Sequence, residues 1–184
     1  MNPLSRIALA FQRKRHSRGF GVHSTYAYRF VTDVVKSGKY GYYAYDVVDH
    51  DTSLSAKEAA DAKFLVRMLA FLNRAEIVCN ATPSTSLKAA ANALHIPLEL
   101  LPEKKQHSER CDNRLLVLEN CDIKPAVLAD LLGRATAIYA TNPSPQLCDA
   151  LSAPLSKGLL LKSKNKILLI PRSEMEYVAY DIDF

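Results

Sequence analysis

The stretch Ala75 to Leu101, AEIVCNATPSTSLKAAANALHIPLELL, constrains the fold more than any other. An apolar run at Ile77 to Cys79 leads into a polar turn, Asn80 to Thr85. An alanine-rich segment follows with Leu87, Ala90, Ala91 and Leu94 on one helical face, then a second short run, Pro97 to Leu101. Strand, turn, helix and strand in this order predict the opening β-α-β unit of an open α/β sheet, because parallel strands need a crossover and a helix supplies it. The first turn of such a unit lies where ligands gather, outside the carboxyl ends of the strands. Thr82 followed by Pro83 predicts an N-cap with proline at the first helical position, and Ser84 and Thr85 add hydroxyls. N–H groups and hydroxyls at a helix start suit a small anion or a nucleotide. The turn nevertheless contains no glycine, and none occurs between Gly41 and Gly133. Without glycine a Cβ stands between backbone and ligand, and Pro83 removes one N–H.

The rest of the chain extends this plan. Residues 3–15 predict a short amphipathic helix, and Thr25 to Lys36 a second one, with Ser24 as N-cap, Tyr26, Phe30, Val31 and Val34 as packing stripe and Gly38 closing it. Tyr40 to Tyr45 is aromatic and predicts cover for the core or for a partner subunit, so a homodimer is among the expectations, with base stacking as the alternative. Ser55 to Asn73 predicts a long helix opened by a Ser55/Glu58 capping box. Leu115 to Leu118 and Ala135 to Ala140 predict buried strands. Helices are expected at Lys124 to Leu132, closed by Gly133, and at Pro145 to Leu151. Leu159 to Lys162 and Lys166 to Ile170 flank Ser163-Lys164-Asn165 as a hairpin, and the alternating tail after Glu176 predicts a last strand. Pro102 to Asn113 reads as a charged loop. The expected fold is a doubly wound, mostly parallel α/β sheet with N-terminal helices and a C-terminal antiparallel hairpin at a reversed edge. Residues 1–54 form a helical arm and aromatic segment, packed as one domain with an α/β body at 55–184.

Charge separates the two parts. Of the net +5, residues 1–39 carry eight Lys/Arg against the single acid Asp33, leaving 16 basic against 18 acidic residues in the rest. A basic arm at residues 6–18 is the footprint expected of a nucleic-acid contact, and equally of a solvated surface. No apolar run is long enough to span a bilayer, and the N-terminus lacks the apolar core of a signal peptide, so no membrane partner and a cytoplasmic location are expected. Cys79, Cys111, Cys121 and Cys148 form no C-x-x-C pair, which predicts reduced thiols and no metal site.

Gly21-Val22-His23-Ser24-Thr25-Tyr26, followed by Tyr42-Tyr43-Ala44-Tyr45, resembles the N-terminal signature of a group of bacterial class I S-adenosylmethionine-dependent methyltransferases. The similarity continues loosely through a helix containing Phe64-Leu65-Val66-Arg67 before the first strand, and through the hairpin near the C-terminus. It implies a Rossmann-like sheet of the methyltransferase type, in a shortened form, with S-adenosylmethionine as cofactor. The residues implied for that cofactor are Asn80, Ala81, Thr82 and Ser84 in the first turn, Glu103 after the second strand (Glu99 being less well placed), and Glu119 with Asn120 after the third. Against the family pattern the first turn lacks an acid and two glycines, and Thr141-Asn142 stands where a paired acidic turn is expected.

Three functions follow as expectations. The first is a methyltransferase-like protein with weakened or lost cofactor binding, serving as a binding or structural module for a small molecule or protein. The second is an active methyltransferase, and the third a nucleic-acid-binding protein using its basic arm. His23 is the one catalytic candidate, as a general base above the sheet edge; the competing role for it is a capping loop that bonds backbone.

Overall fold

The computed structural model describes residues 3–16, 21–36, 42–101, 113–119, 135, 137–152 and 157–184. Gly38, the expected loop residues Glu103 and Cys111, and Asn120, Cys121, the helix expected over Lys124 to Leu132 and Gly133 lie outside these residues. The helices are α1 (Pro3–His16), α2 (Thr25–Phe30), α3 (Tyr45–Asp49), α4 (Ala56–Leu72), α5 (Thr85–Ala93) and α6 (Pro145–Ser152). The strands are β1 (Glu76–Cys79), β2 (Leu98–Leu100), β3 (Arg114–Glu119), β4 (Ala137–Thr141), β5 (Lys157–Lys162), β6 (Lys166–Glu176) and β7 (Val178–Asp181).

The strands form one sheet in the order β2-β1-β3-β4-β6-β5-β7. β2, β1, β3 and β4 pair in parallel, β6 lies antiparallel between β4 and β5, and β7 runs parallel to β5. The hairpin is therefore present, but the reversed strand is internal. The tail corrects the expectation of a reversed edge: after Tyr177 the chain turns back and covers the open side of β5. That side needs a partner because Gly158–Leu161 is buried on both faces and its backbone polar groups have no access to water.

Helices pack on both faces. Ile77, Leu115, Val117, Tyr139, Leu159 and Leu161 face a core completed by α2, α4 and α5. Val78, Leu116, Leu118, Ile138, Leu160 and Leu169 face the other way, onto Leu147 and Leu151 of α6. Successive strand residues alternate between these cores, so the continuous apolar runs are those of strands buried on both sides.

The long helix forms as the sequence predicts. Ser55 caps α4, its hydroxyl accepting from Glu58 N–H while the Glu58 carboxylate accepts from Ser55 N–H at 2.9 Å; Asn73 ends it with φ +50°. Two segments differ from expectation. The helix expected over 25–36 changes pitch, and Val31–Val35 is a π-helical turn. The wider turn is held from outside, since Arg67 donates from Nε to the Val34 carbonyl at 2.7 Å and from a terminal nitrogen to the Tyr45 hydroxyl at 2.8 Å. The aromatic segment is partly helical: Tyr45 begins α3, a single turn that buries Val48. Tyr42 and Tyr45 pack with ring centroids 5.5 Å apart, while Tyr43 is 78% exposed.

The first helix rests on the far edge of the sheet. His16 Nδ1 lies 3.0 Å from the Asp181 carbonyl, its ring meets Tyr180 edge-on at 5.6 Å, and Arg13 approaches the Asp181 carboxylate at 3.8 Å. Ile7 and Phe11, on the opposite side, are 67% and 65% exposed.

Candidate functional site

The chain leaves β1 toward β2 on one side and returns to β3 on the other, so β1 and β3 flank the switch point of the sheet. Asn80 sits there, one residue past β1. Its side-chain Oδ1 accepts from the Glu119 N–H at 2.7 Å, and its Nδ2 donates to the Glu119 carbonyl at 3.3 Å. One amide thus satisfies both backbone groups of Glu119 and stitches β1 to β3 where a crevice would otherwise open.

The turn that follows is not the expected cap. α5 begins two residues later than the Thr82-Pro83 pair predicts, with Ser84 as the N-cap residue in extended conformation and no side-chain cap bond from it. The reason lies in α4. Thr85 donates from its hydroxyl to Glu58 Oε1 at 2.6 Å, while Glu58 Oε2 accepts from Ser55 N–H and hydroxyl. A single carboxylate serves the starts of both helices, on the side where a helix start favours negative charge. Ala81 and Thr82 are exposed.

These bonds hold Glu58 ionised, its pKa lowered to about 2 chiefly by the Ser55 hydroxyl and then by Thr85. A carboxylate shifted down in the folded protein stabilises it above the unfolded pKa and ceases to do so as pH falls toward the folded one. Wild type is expected to be more stable than Glu58→Gln at pH 6, with the difference shrinking steadily between about pH 4.5 and 2. Urea midpoints of both proteins across that range measure it, and a difference independent of pH would contradict the arrangement.

The open concavity lies further along the same edge, a cleft of about 470 Å³ over the carboxyl ends of β3 and β4. Lys57, Asp61 and Leu65 of α4 form one wall at four-residue spacing, and Ser84 with Ser86 and Leu87 of α5 continues it. Val117, Glu119 and Tyr139 supply the floor, and Lys166 and Phe184 close the far side. Lys166 Nζ stands 3.4 Å from Asp61 Oδ1 and 5.3 Å from the centroid of Phe64, whose ring stacks on Phe184 at 5.7 Å.

Tyr139 lines the floor of this cleft with its ring buried in the core and its hydroxyl toward the opening. It is 4% exposed, and its hydroxyl makes no hydrogen bond among the described residues. Burial first, then the carboxylates of Asp61 and Glu119, push its pKa well above the usual phenol range, so it is neutral at any physiological pH. Cys79 is likewise driven up, to about 12, by burial and by Glu119; with its thiol buried it is no nucleophile. Cys148 is half-buried and also shifted up by burial.

The expected site residues are thus only partly brought together. Asn80 and Glu119 are joined, Ser84 borders the cleft with Glu119, and Ala81 and Thr82 point the turn to solvent side without lining it. Glu103 and Asn120 lie outside the described residues. Glu99 is exposed on β2. His23 is elsewhere: its N–H donates to the Tyr180 hydroxyl at 3.2 Å, on β7, three strands beyond β4, and Ser24 accepts from Ala27 N–H to cap α2. The His-Ser loop therefore anchors α2 to the sheet edge.

Lys57, Asp61, Tyr139 and Lys166 are absent from the residues that sequence alone suggests. Two signals for them exist. Lys57 and Asp61 prolong the buried stripe of α4 with charge, and Tyr139 places a hydroxyl inside the apolar run Ala137–Ala140. Among the described residues no group of three or more His, Cys, Asp or Glu can hold a metal, and no helix is long and apolar enough to cross a membrane. Comparison with family models, with curated proteins and with solved structures finds no match to the chain.

Proposed function

We propose that this protein is a methyltransferase-like α/β domain whose cofactor seat has been filled by its own side chains, and that it works as a binding module. The Asn80 amide bonded to both backbone groups of Glu119 carries this reading. A nucleoside placed over the first turn needs the β1–β3 crevice and the start of α5. Asn80 occupies the first, and Glu58 already supplies the carboxylate that the second attracts. The absence of glycine from Asn80 to Thr85 adds a Cβ at each position the ligand would approach. The two-sided helical cover and the mostly parallel sheet with one internal antiparallel strand are compatible with a Rossmann-like ancestor.

Calorimetric titration with S-adenosylmethionine and S-adenosylhomocysteine decides between this reading and an active enzyme. No heat of binding is expected at ligand concentrations of about 1 mM. Micromolar affinity would overturn the filled seat and restore an active methyltransferase as the better account.

A further inference from the structure

We propose that the cleft over β3 and β4 binds a small organic ammonium ion carried on an apolar body, with the Tyr139 oxygen and the Glu119 carboxylate receiving the ammonium group. The inference takes from the preceding section only that the protein is a binding module, and it names the ligand class.

Three observations select a cation. The Glu119 carboxylate lines the cleft and is engaged by no hydrogen bond or ion pair among the described residues, because Asn80 holds only its backbone. Tyr139 beside it is more than nine-tenths buried and offers an oxygen that no protein group uses. The hydroxyl is not sealed from the cleft, so a ligand group can reach it without opening the core. Burial is the main influence that opposes ionisation of that hydroxyl, and Asp61 and Glu119 are the charged groups that add to it. The lysines do not reverse this: Lys166 is committed to Asp61 and to the Phe64 ring, and Lys57 stands exposed at the mouth.

The remaining walls select an apolar body. Leu65, Leu87 and Val117 are buried side chains at the cleft surface, and the Phe184 ring closes it. An aromatic face beside a free carboxylate is a recurrent way to hold a desolvated ammonium. The volume lies within the ~300–1,000 Å³ usual for small-molecule sites. An ammonium ion there would donate to Tyr139 and Glu119 together.

Phenethylamine is the probe, with 2-phenylethanol and 3-phenylpropionate as neutral and anionic counterparts of the same body. Titration of the full chain, followed by amide and tyrosine ring NMR signals, should give saturable shifts near Tyr139 and Glu119 with a Kd below about 1 mM for the amine alone. Glu119→Gln should weaken phenethylamine at least about tenfold, a ratio in keeping with loss of a charged hydrogen bond. Tyr139→Phe, which removes one oxygen and keeps the ring, should weaken it about threefold or more and stands in if Glu119→Gln does not fold. Equal binding of 3-phenylpropionate, or no saturable shift with phenethylamine, overturns the proposal. The S-adenosylmethionine titration fails or succeeds separately. Amine binding alongside micromolar cofactor binding would keep this site and overturn the filled seat; neither ligand binding would overturn this site and leave the filled seat standing.

Discussion

Replacement of Phe30 by alanine is expected to lower the stability of the whole protein by about 3–5 kcal/mol, the cost of deleting a fully buried aromatic side chain. Phe30 has no exposed surface and meets Phe71 edge-on, ring centroids 5.4 Å apart at 89°. Tyr26 packs on the same Phe71 ring at 5.3 Å, and Arg172 lies 4.4 Å over Tyr26. Ala27, Val31 and Val34 join α4 and the strands in one buried cluster. The N-terminal helices are therefore part of the sheet's own cover, and the cavity left by Phe30 opens inside the main core. Urea unfolding of Phe30→Ala should show a single transition with a lower midpoint and an unchanged slope. A variant in which the N-terminal segment melts first while the main transition stays in place would show that the arm is separable.

Gly158→Ala is expected to be comparably damaging, for a different reason. Gly158 has φ +133°, a conformation that side-chain-bearing residues rarely adopt, and a Cβ there would lie 2.5 Å from the Ile170 carbonyl oxygen and 3.0 Å from Pro171 Cα. The position is the register shift between β5 and β6, where Gly158 faces Pro171. The obstacle is backbone and not the end of a flexible side chain, and it adjoins the stretch Lys166–Leu169 that β6 pairs with β4. Backbone strain and overpacking each cost about 1–3 kcal/mol, about 2–6 kcal/mol together. Thermal melting measures the effect, and a midpoint within about 2 °C of wild type would refute the stated geometry.

Much of the framework is legible in residue order. Ser55 and Glu58 announce a capping box and make one; Ile77 to Cys79 and Leu115 to Leu118 read as doubly buried strands and are. The hairpin around Ser163-Lys164-Asn165 closes with Ser163 N–H bonded to the Lys166 carbonyl at 2.8 Å. These features depend on neighbours a few residues apart, and local rules carry them. The start of α5 was not legible, because Thr82-Pro83 is a good local cap and loses to a contact with Glu58, 27 residues away from Thr85. The π-helical turn was hidden for the same reason, since Arg67 and Val34 meet only in the folded chain.

The candidate site divides along the same line. The glycine-free turn after β1 is written in the sequence, and it alone argues against a nucleotide seated over Asn80 to Thr85. The bridge beside that turn is tertiary: the Asn80 amide reaches the Glu119 backbone, 39 residues on, only because β1 and β3 lie side by side. The cleft is tertiary in the same sense. Asp61, Glu119, Tyr139 and Lys166 come from four elements, and no spacing in the chain relates them. Sequence by itself determined most of the described helices and strands and that the first turn lacks glycine, because backbone preference and burial period act locally. Tertiary structure decided the Asn80–Glu119 bridge at the switch point and the cleft with its buried Tyr139, because bonds and charges from distant elements meet only when those elements share one sheet edge.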